Sequence, residues 1–174
     1  MNNSTDQMCL IPPAGYQFEN DEWYTPAWVF EALGVRFDLD PCSPGVPPSN
    51  VPAEKYLTMA DNGLAADWFG NVWVNPPFTS KRMWYEKLIE HGSGIALMPN
   101  RTETHDLQTY MQAASALLFL KGRIYFERGS KPGANGLNGK TSTPPFGIVL
   151  CAYGEEMVEA LLSSRLLGVR VKPL

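Results

Sequence analysis

The chain has 174 residues, 44% hydrophobic and 18% charged, a length that suits one domain with a sizeable core. Its 15 Gly and 15 Pro make it turn-rich, without the low complexity that would signal disorder or a collagen repeat. Fourteen basic against 18 acidic residues leave a net charge of −4, which excludes a histone-like coat of nucleic acid but not a local basic patch.

Cys9, Cys42 and Cys151 are too few and too scattered for a disulfide framework, and they form no C-x-x-C pair. With two His residues no zinc spacing arises, so no metal is expected. The polar start, Met1 to Met8, lacks the features of a signal peptide. The longest apolar stretches, Ala113–Leu120 and Phe146–Tyr153, fall short of the roughly 20 residues of a membrane span. A cytoplasmic protein with reduced thiols and no membrane contact is expected.

In chain order, residues 1–20 carry Pro12, Pro13 and Gly15 without hydrophobic period and predict a loose arm ahead of a domain over 21–174. Thr25 suits an N-cap and Pro26 a first helical turn. The apolar face would be Trp28, Val29, Ala32 and Leu33, and Gly34 would end it. Val35–Asp40 alternates as a strand does. Cys42–Ala53 is irregular by its prolines, and a weak strand follows at Tyr56–Met59. Asn71–Val74 reads as a buried strand running into the rigid loop Asn75-Pro76-Pro77-Phe78. Thr79 or Ser80 can cap a helix to about Glu90. Ile95–Met98, Ala116–Leu120, Arg123–Phe126 and Phe146–Ala152 predict further strands. Helices are predicted over about 104–113 and 155–166, with a long Gly/Ser/Thr/Pro/Lys loop at Arg128–Pro145. Short apolar strands alternating with helices imply an α/β fold with a mostly parallel sheet covered on both faces. The last strands, closely connected, are expected to be antiparallel.

Ligands of such sheets bind beyond the carboxyl ends of strands, which directs attention to Asp40-Pro41-Cys42 and to Asn75–Phe78. Pro76 and Pro77 have no amide donors and fixed φ, so nearby carbonyls are held in set directions. Asn75 adds a side-chain acceptor and Phe78 a flat ring. Two acceptors and an aromatic plate suit a planar amine such as adenine N6, cytosine N4 or a glutamine amide. Its delocalised nitrogen becomes a better nucleophile when both hydrogens are accepted, one by Asn75 and one by the Pro76 carbonyl. Neither G-x-G-x-x-G nor G-x-x-x-x-G-K-[ST] occurs, which disfavours a generic nucleotide-binding domain.

Asn75-Pro76-Pro77-Phe78 resembles the catalytic tetrapeptide of S-adenosylmethionine-dependent amino-methyltransferases. Together with Asp21-Glu22-Trp23-Tyr24-Thr25-Pro26, Phe37-Asp38-Leu39-Asp40-Pro41-Cys42 and Val72-Trp73-Val74, it is similar to the phage-type DNA N-6-adenine methyltransferase (Dam) family over about 21–153. The resemblance implies a single Rossmann-like methyltransferase domain that methylates adenine N6 in DNA. S-adenosyl-L-methionine would be the cofactor, and the flipped base would be held by Asn75, Pro76, Pro77 and Phe78. It implies that Tyr24, Thr25 and Pro26 line the methionine end of the cofactor. Asp40, Pro41 and Cys42 would form the first cofactor loop, and Asp67 and Trp68 would bind and cover the adenine. Asp61 is a rival for Asp67, and Glu54 is a candidate for the ribose. The sequence departs from the family at Cys42-Ser43-Pro44-Gly45, where a Gly-rich run is usual. Another amine target, in cytosine, RNA adenine or protein glutamine, and a catalytically silent DNA-binding protein stay open as alternatives.

A duplex base must be extruded before its amine is accessible, and phosphate contacts offset part of that cost. Lys81 and Arg82 follow the tetrapeptide, Arg101 follows the next strand, and Arg123, Arg128, Lys131 and Lys140 lie in or beside the long loop, so seven of the 14 basic residues fall where the ligand face is expected. Of these, Lys81, Arg82, Arg101, Arg128, Lys131 and Lys140 are the expected DNA contacts. The length leaves no separate recognition domain, so readout would involve few base pairs or a partner subunit in a homodimer.

Overall fold

The computed structural model describes residues 23–44, 50–128 and 141–173. The predicted arm at 1–20, and Lys131 and Lys140 in the long loop, lie outside the described residues. In chain order the elements are β1 (Trp23–Tyr24), α1 (Ala27–Leu33), β2 (Phe37–Asp40), β3 (Ala53–Tyr56), β4 (Val72–Val74), α2 (Lys81–His91) and β5 (Gly94–Pro99). There follow α3 (His105–Ala113), β6 (Ala116–Leu120), β7 (Phe126–Arg128), β8 (Thr141–Ser142), β9 (Ile148–Tyr153), α4 (Glu155–Ser163) and β10 (Gly168–Val171).

Seven strands form one mixed sheet in the order β10-β6-β9-β5-β4-β2-β3. Strands β3, β2, β4 and β5 are parallel, whereas β9 runs antiparallel to both β5 and β6, and β10 antiparallel to β6. β6 therefore points the same way as β5, and the antiparallel strands are the late ones, as expected. Every residue of β4, β5 and β9 is buried, which is why they read as unbroken apolar runs rather than alternating ones. Their side chains still alternate between faces. Trp73, Ile95, Leu97, Ile148 and Leu150 pack with Val29, Phe30 and Leu33 of α1 and Met157 and Leu161 of α4. Val72, Val74, Ala96, Met98, Val149 and Cys151 pack with Tyr85 and Leu88 of α2 and Leu107 and Tyr110 of α3. This is a mixed α/β fold, with both sheet faces covered.

Several expectations need correction. The alternation predicted through Asp40 is broken at Asp38. The amides of Asp38 and Leu39 both reach the Asn71 carbonyl, at 2.8 and 3.4 Å, and the Asp38 carboxylate accepts the Asn71 amide at 2.6 Å. Two residues thus oppose one, as in a bulge, and Phe37 and Leu39 join opposite clusters despite their even spacing. The third strand is Ala53–Tyr56 rather than Tyr56–Met59. Only Ala53 of it is buried, so this edge strand carries little apolar signal. Met59–Asp61 instead forms a short 3-10 turn capped by Thr58. Trp28, assigned to the apolar face of α1, is 48% exposed, and Phe30 takes that place. The last helix stops at Ser163 and leaves room for β10.

A second, three-stranded antiparallel sheet has the order β1-β7-β8. Arg123–Phe126 is therefore not a strand of the main sheet. The strand begins at Phe126 and pairs with β1, Trp23 opposite Arg128 and Tyr24 opposite Glu127.

Candidate active site

The chain leaves β2 for β3 on one side and returns to β4 on the other. Such a reversal of strand order opens a crevice at the carboxyl ends of the two central strands. Leu39 lies opposite Val72 in register, so the chain leaving β2 and the chain leaving β4 emerge side by side with Cys42 level with Asn75, and the Asn75 backbone N–H reaches the Cys42 thiol.

Asp40 is buried, and the Cys42 amide donates to its Oδ1 at 3.3 Å. No ion pair to it exists among the described residues. Burial pushes its carboxyl up to about 7, against the smaller opposing pull of the hydrogen bonds from Cys42. Burial, and then the neighbouring Asp40 charge, also raises the Cys42 thiol well above its ordinary range. Pro41 is buried, and its turn is held through Leu57, which donates to the Asp40 carbonyl and accepts from Ser43, both at 2.9 Å.

Asn75 is fixed from one side only. Its Nδ2 donates to the Trp23 carbonyl at 2.7 Å and to the Thr25 hydroxyl at 3.2 Å. A carbonyl only accepts, so the NH2 must face Trp23 and Oδ1 must point away. That Oδ1 is buried and has no hydrogen-bond partner. The Pro77 carbonyl is taken by the Ser80 amide at 3.1 Å, whereas no donor reaches the Pro76 carbonyl among the described residues. Thr25 is thus not the cap of α1. Pro26 occupies the cap position, without a side-chain cap bond, and the Thr25 hydroxyl serves Asn75 instead.

The Phe78 ring lies nearly parallel to Trp23, with centroids 6.5 Å apart, and edge-on to Phe146 at 5.5 Å. Trp23 in turn packs edge-on to Phe126 at 5.7 Å. Asn50 ties this small sheet to the site, donating to the Thr25 carbonyl at 3.1 Å and to Glu127 at 3.0 Å. Trp23, Asn50, Phe126, Glu127 and Phe146 are site residues that the motif reading left unassigned. Trp23 lies within the Asp21–Pro26 motif. It acts through a backbone carbonyl and a ring face, neither of which a motif records.

Asp67 is exposed, whereas Trp68 is half-buried and packs against α2. The Trp68 indole donates to the Gly63 carbonyl at 2.8 Å and stacks on Trp84 with centroids 6.3 Å apart. Lys87 lies 5.0 Å over the Trp68 ring and donates to the carbonyls of Gly63, Leu64 and Ala66. Asp61, the rival, is bound to the Thr58 amide and hydroxyl at 2.8 Å, and these bonds hold its carboxyl below the usual range. The 62–71 segment touches the Asp40 loop through Gly63, where a β-carbon would overlap the Pro41 carbonyl and crowd Trp84. Gly63→Ala should therefore lower stability by about 1–3 kcal/mol, as overpacking does. A denaturant midpoint equal to that of the wild type would show that the contact is not tight.

Of the expected DNA contacts, Lys81 and Arg82 start α2 and Arg101 follows β5, all on the carboxyl side of the sheet. Arg82 is exposed and pairs with Glu86 at 2.8 Å, an i,i+4 pair that adds little stability. The Arg101 guanidinium sits 5.3 Å from the Phe146 ring centroid. Arg128 lies in β7 opposite Trp23. No cluster of metal-ligating side chains occurs among the described residues, and no helix there is long and apolar enough to cross a membrane.

Fold and site together define a class: an α/β protein whose strand ends present a buried carboxyl, an unpaired amide oxygen and aromatic rings, chemistry suited to a planar amine. A family model described as DNA N-6-adenine-methyltransferase (Dam) matches residues 16–148. That is more than half of the chain, and the protein belongs to this family. No curated protein matches the chain.

Proposed function

We propose that the protein methylates adenine N6 in DNA with S-adenosylmethionine as methyl donor. The observation that carries this reading is the buried, unpaired Oδ1 of Asn75 beside Phe78. A buried acceptor left without a donor costs about 1–3 kcal/mol, a cost repaid when a ligand N–H arrives. Asn75 Oδ1 and the Pro76 carbonyl then accept the two hydrogens of the base amine, and the Phe78 ring supports the base plane. With both hydrogens held, the nitrogen lone pair turns from the ring towards an electrophile. No strong base is needed, because orientation and fixed dipoles carry the step.

The residues present also fit the cofactor. Asp40 is a buried carboxyl without a cationic partner among the described residues, which suits a ligand that brings a positive charge or several donors. Asp40, Pro41 and Cys42 would hold it from the end of β2, with Tyr24, Thr25 and Pro26 at its methionine end. When bound, S-adenosylmethionine supplies a methyl group on a sulfonium. Asp67 and Trp68 are proposed to border its adenine. The Trp68 stack on Trp84 supports only a ring held in place.

In this reading the seven-stranded sheet is a Rossmann-like methyltransferase core, and the arm at 1–20 precedes a domain over 21–174. The protein works in the cytoplasm on DNA, as a phage-type enzyme, and a second copy is one source of further base-pair readout. Lys81, Arg82, Arg101, Arg128, Lys131 and Lys140 would supply the phosphate contacts.

Incubation with methyl-labelled cofactor and DNA, followed by digestion to nucleosides, should yield labelled N6-methyladenine. Label in N4-methylcytosine, in RNA or in a protein glutamine would move the target to another amine. Binding of DNA without label transfer would make the protein a silent DNA binder.

A further inference from the structure

A second cleft lies on the same carboxyl edge of the sheet, away from Asn75. It has a volume of about 190 Å³ and is lined by Trp28, Lys121, Arg123, Arg165 and Leu167 among others, with no Asp or Glu in the lining among the described residues. For a chain of net charge −4, three cations around one cleft form a local positive concentration. Trp28 is 48% exposed and Leu167 70% exposed, and Tyr125, next to the lining residue Ile124, is 63% exposed. An exposed indole set among guanidinium and ammonium groups is the combination that holds an unpaired nucleotide, the ring stacking on the base and the cations meeting phosphate.

The cleft is rigidly built and joined to the active site. The Lys121 amide donates to the Leu167 carbonyl at 2.8 Å, which fixes the turn after β6 against the start of β10. Arg165 is tied to the end of α1, its amide to the Ala32 carbonyl and its Nη2 to the Glu31 carbonyl. Arg123 links the two sites: Nη1 donates to the carbonyls of Pro144 and Phe146, at 2.6 and 2.8 Å, and the Phe146 ring packs on Phe78. Because β6 runs parallel to β5, the turn at Lys121 opens on the edge where Asp40 and Asn75 emerge.

We propose that this cleft holds a nucleotide flanking the target base, with Trp28 stacking on its base and Lys121 and Arg165 meeting its phosphates. The inference rests on DNA being the substrate. It would give the strand a further hold outside the proposed base pocket.

The test uses the full chain with fluorescently labelled single-stranded and duplex oligonucleotides across a salt series. Trp28→Ala should weaken binding about tenfold, and Trp28→Phe should restore most of it, since stacking needs only a ring. Lys121→Glu should weaken binding by a similar factor and reduce the salt slope by about one. Both variants should keep wild-type affinity for S-adenosylmethionine. Wild-type oligonucleotide affinity and salt slope in Trp28→Ala and Lys121→Glu would overturn the proposal. So would an equal loss of binding to a polyglutamate peptide, because the cleft would then attract any anion. Product analysis on the same proteins separates the two readings. Oligonucleotide binding that depends on Trp28 without methyl transfer removes the proposed activity and keeps the cleft. Full methylation by variants that bind like the wild type removes the cleft and keeps the activity.

Discussion

Asn75→Ala should lower the methyl-transfer rate by about 10²–10³-fold, the loss typical of removing one preorganised group aimed at developing charge. The variant should still fold, because the deleted atoms lie at a strand end and not among the fully buried residues of β4. Two partners lose a donor, the Trp23 carbonyl and the Thr25 hydroxyl, which should cost about 1–2 kcal/mol in a denaturant melt. Cofactor affinity should stay within a few-fold, since Asp40, not Asn75, supplies the proposed cofactor contact. Asn75→Asp sharpens the test. A carboxylate cannot donate to the Trp23 carbonyl, so it should be more destabilising than alanine although it retains an acceptor. Single-turnover transfer at saturating DNA and cofactor measures the effect. A rate near that of the wild type in Asn75→Ala would remove this residue from the chemistry.

The loop Asn75–Phe78 was legible in the sequence because its two sources of information are local. Val72-Trp73-Val74 is buried on both faces and so reads as a continuous apolar run, and the prolines after Asn75 end it abruptly. Asp40 was legible for the same reason, at the end of a strand. The elements that were missed carry weak local signals. Ala53–Tyr56 is an edge strand with one buried residue, and β10 alternates half-buried with exposed positions beyond a helix whose apolar pattern runs on to Leu166. β1 and β8 are two residues each and gain their place only by pairing with β7. The support of Asn75 was hidden for another reason: it comes from a main-chain carbonyl 52 residues away. Side-chain identity at position 23 says nothing of that bond. Thr25 shows the ambiguity well, since the residue type suits a helix cap and a hydrogen bond to Asn75 equally, and only the fold chooses the second. Trp68 is the converse case. A motif marks the aromatic ring, but the Trp84 stack, the Gly63 carbonyl and Lys87 decide what it touches.

The pH dependence of stability should carry the signature of Asp40. An ordinary aspartate ionises near 3.8, and in the folded protein burial raises this one to about 7. Below pH 3.8 both states hold the proton, so Asp40 does not penalise folding. Between these two values the unfolded chain has released it and the folded chain has not, so stability falls as pH rises. The loss is complete once the pH passes about 7. With 1.36 kcal/mol per pKa unit, the shift corresponds to a few kcal/mol in all. Asp40→Asn abolishes this dependence. Its Oδ1 can still accept the Cys42 amide, and its added Nδ2 stands without a charge to bury. The variant should match the wild type near pH 4 and be more stable by about 2–3 kcal/mol at pH 8, after the cost of an unpaired donor is subtracted. Urea midpoints at the two pH values check this. The same substitution should weaken S-adenosylmethionine binding at least tenfold, because a neutral amide offers nothing to a positively charged ligand. In the wild type, ligand binding near pH 6 should release protons, since a cation beside Asp40 lowers its pKa. Titration calorimetry in buffers of different ionisation enthalpy measures that release. A variant that gains stability at pH 8 yet binds the cofactor as well as the wild type would leave Asp40 a strained core residue with no part in the cofactor site.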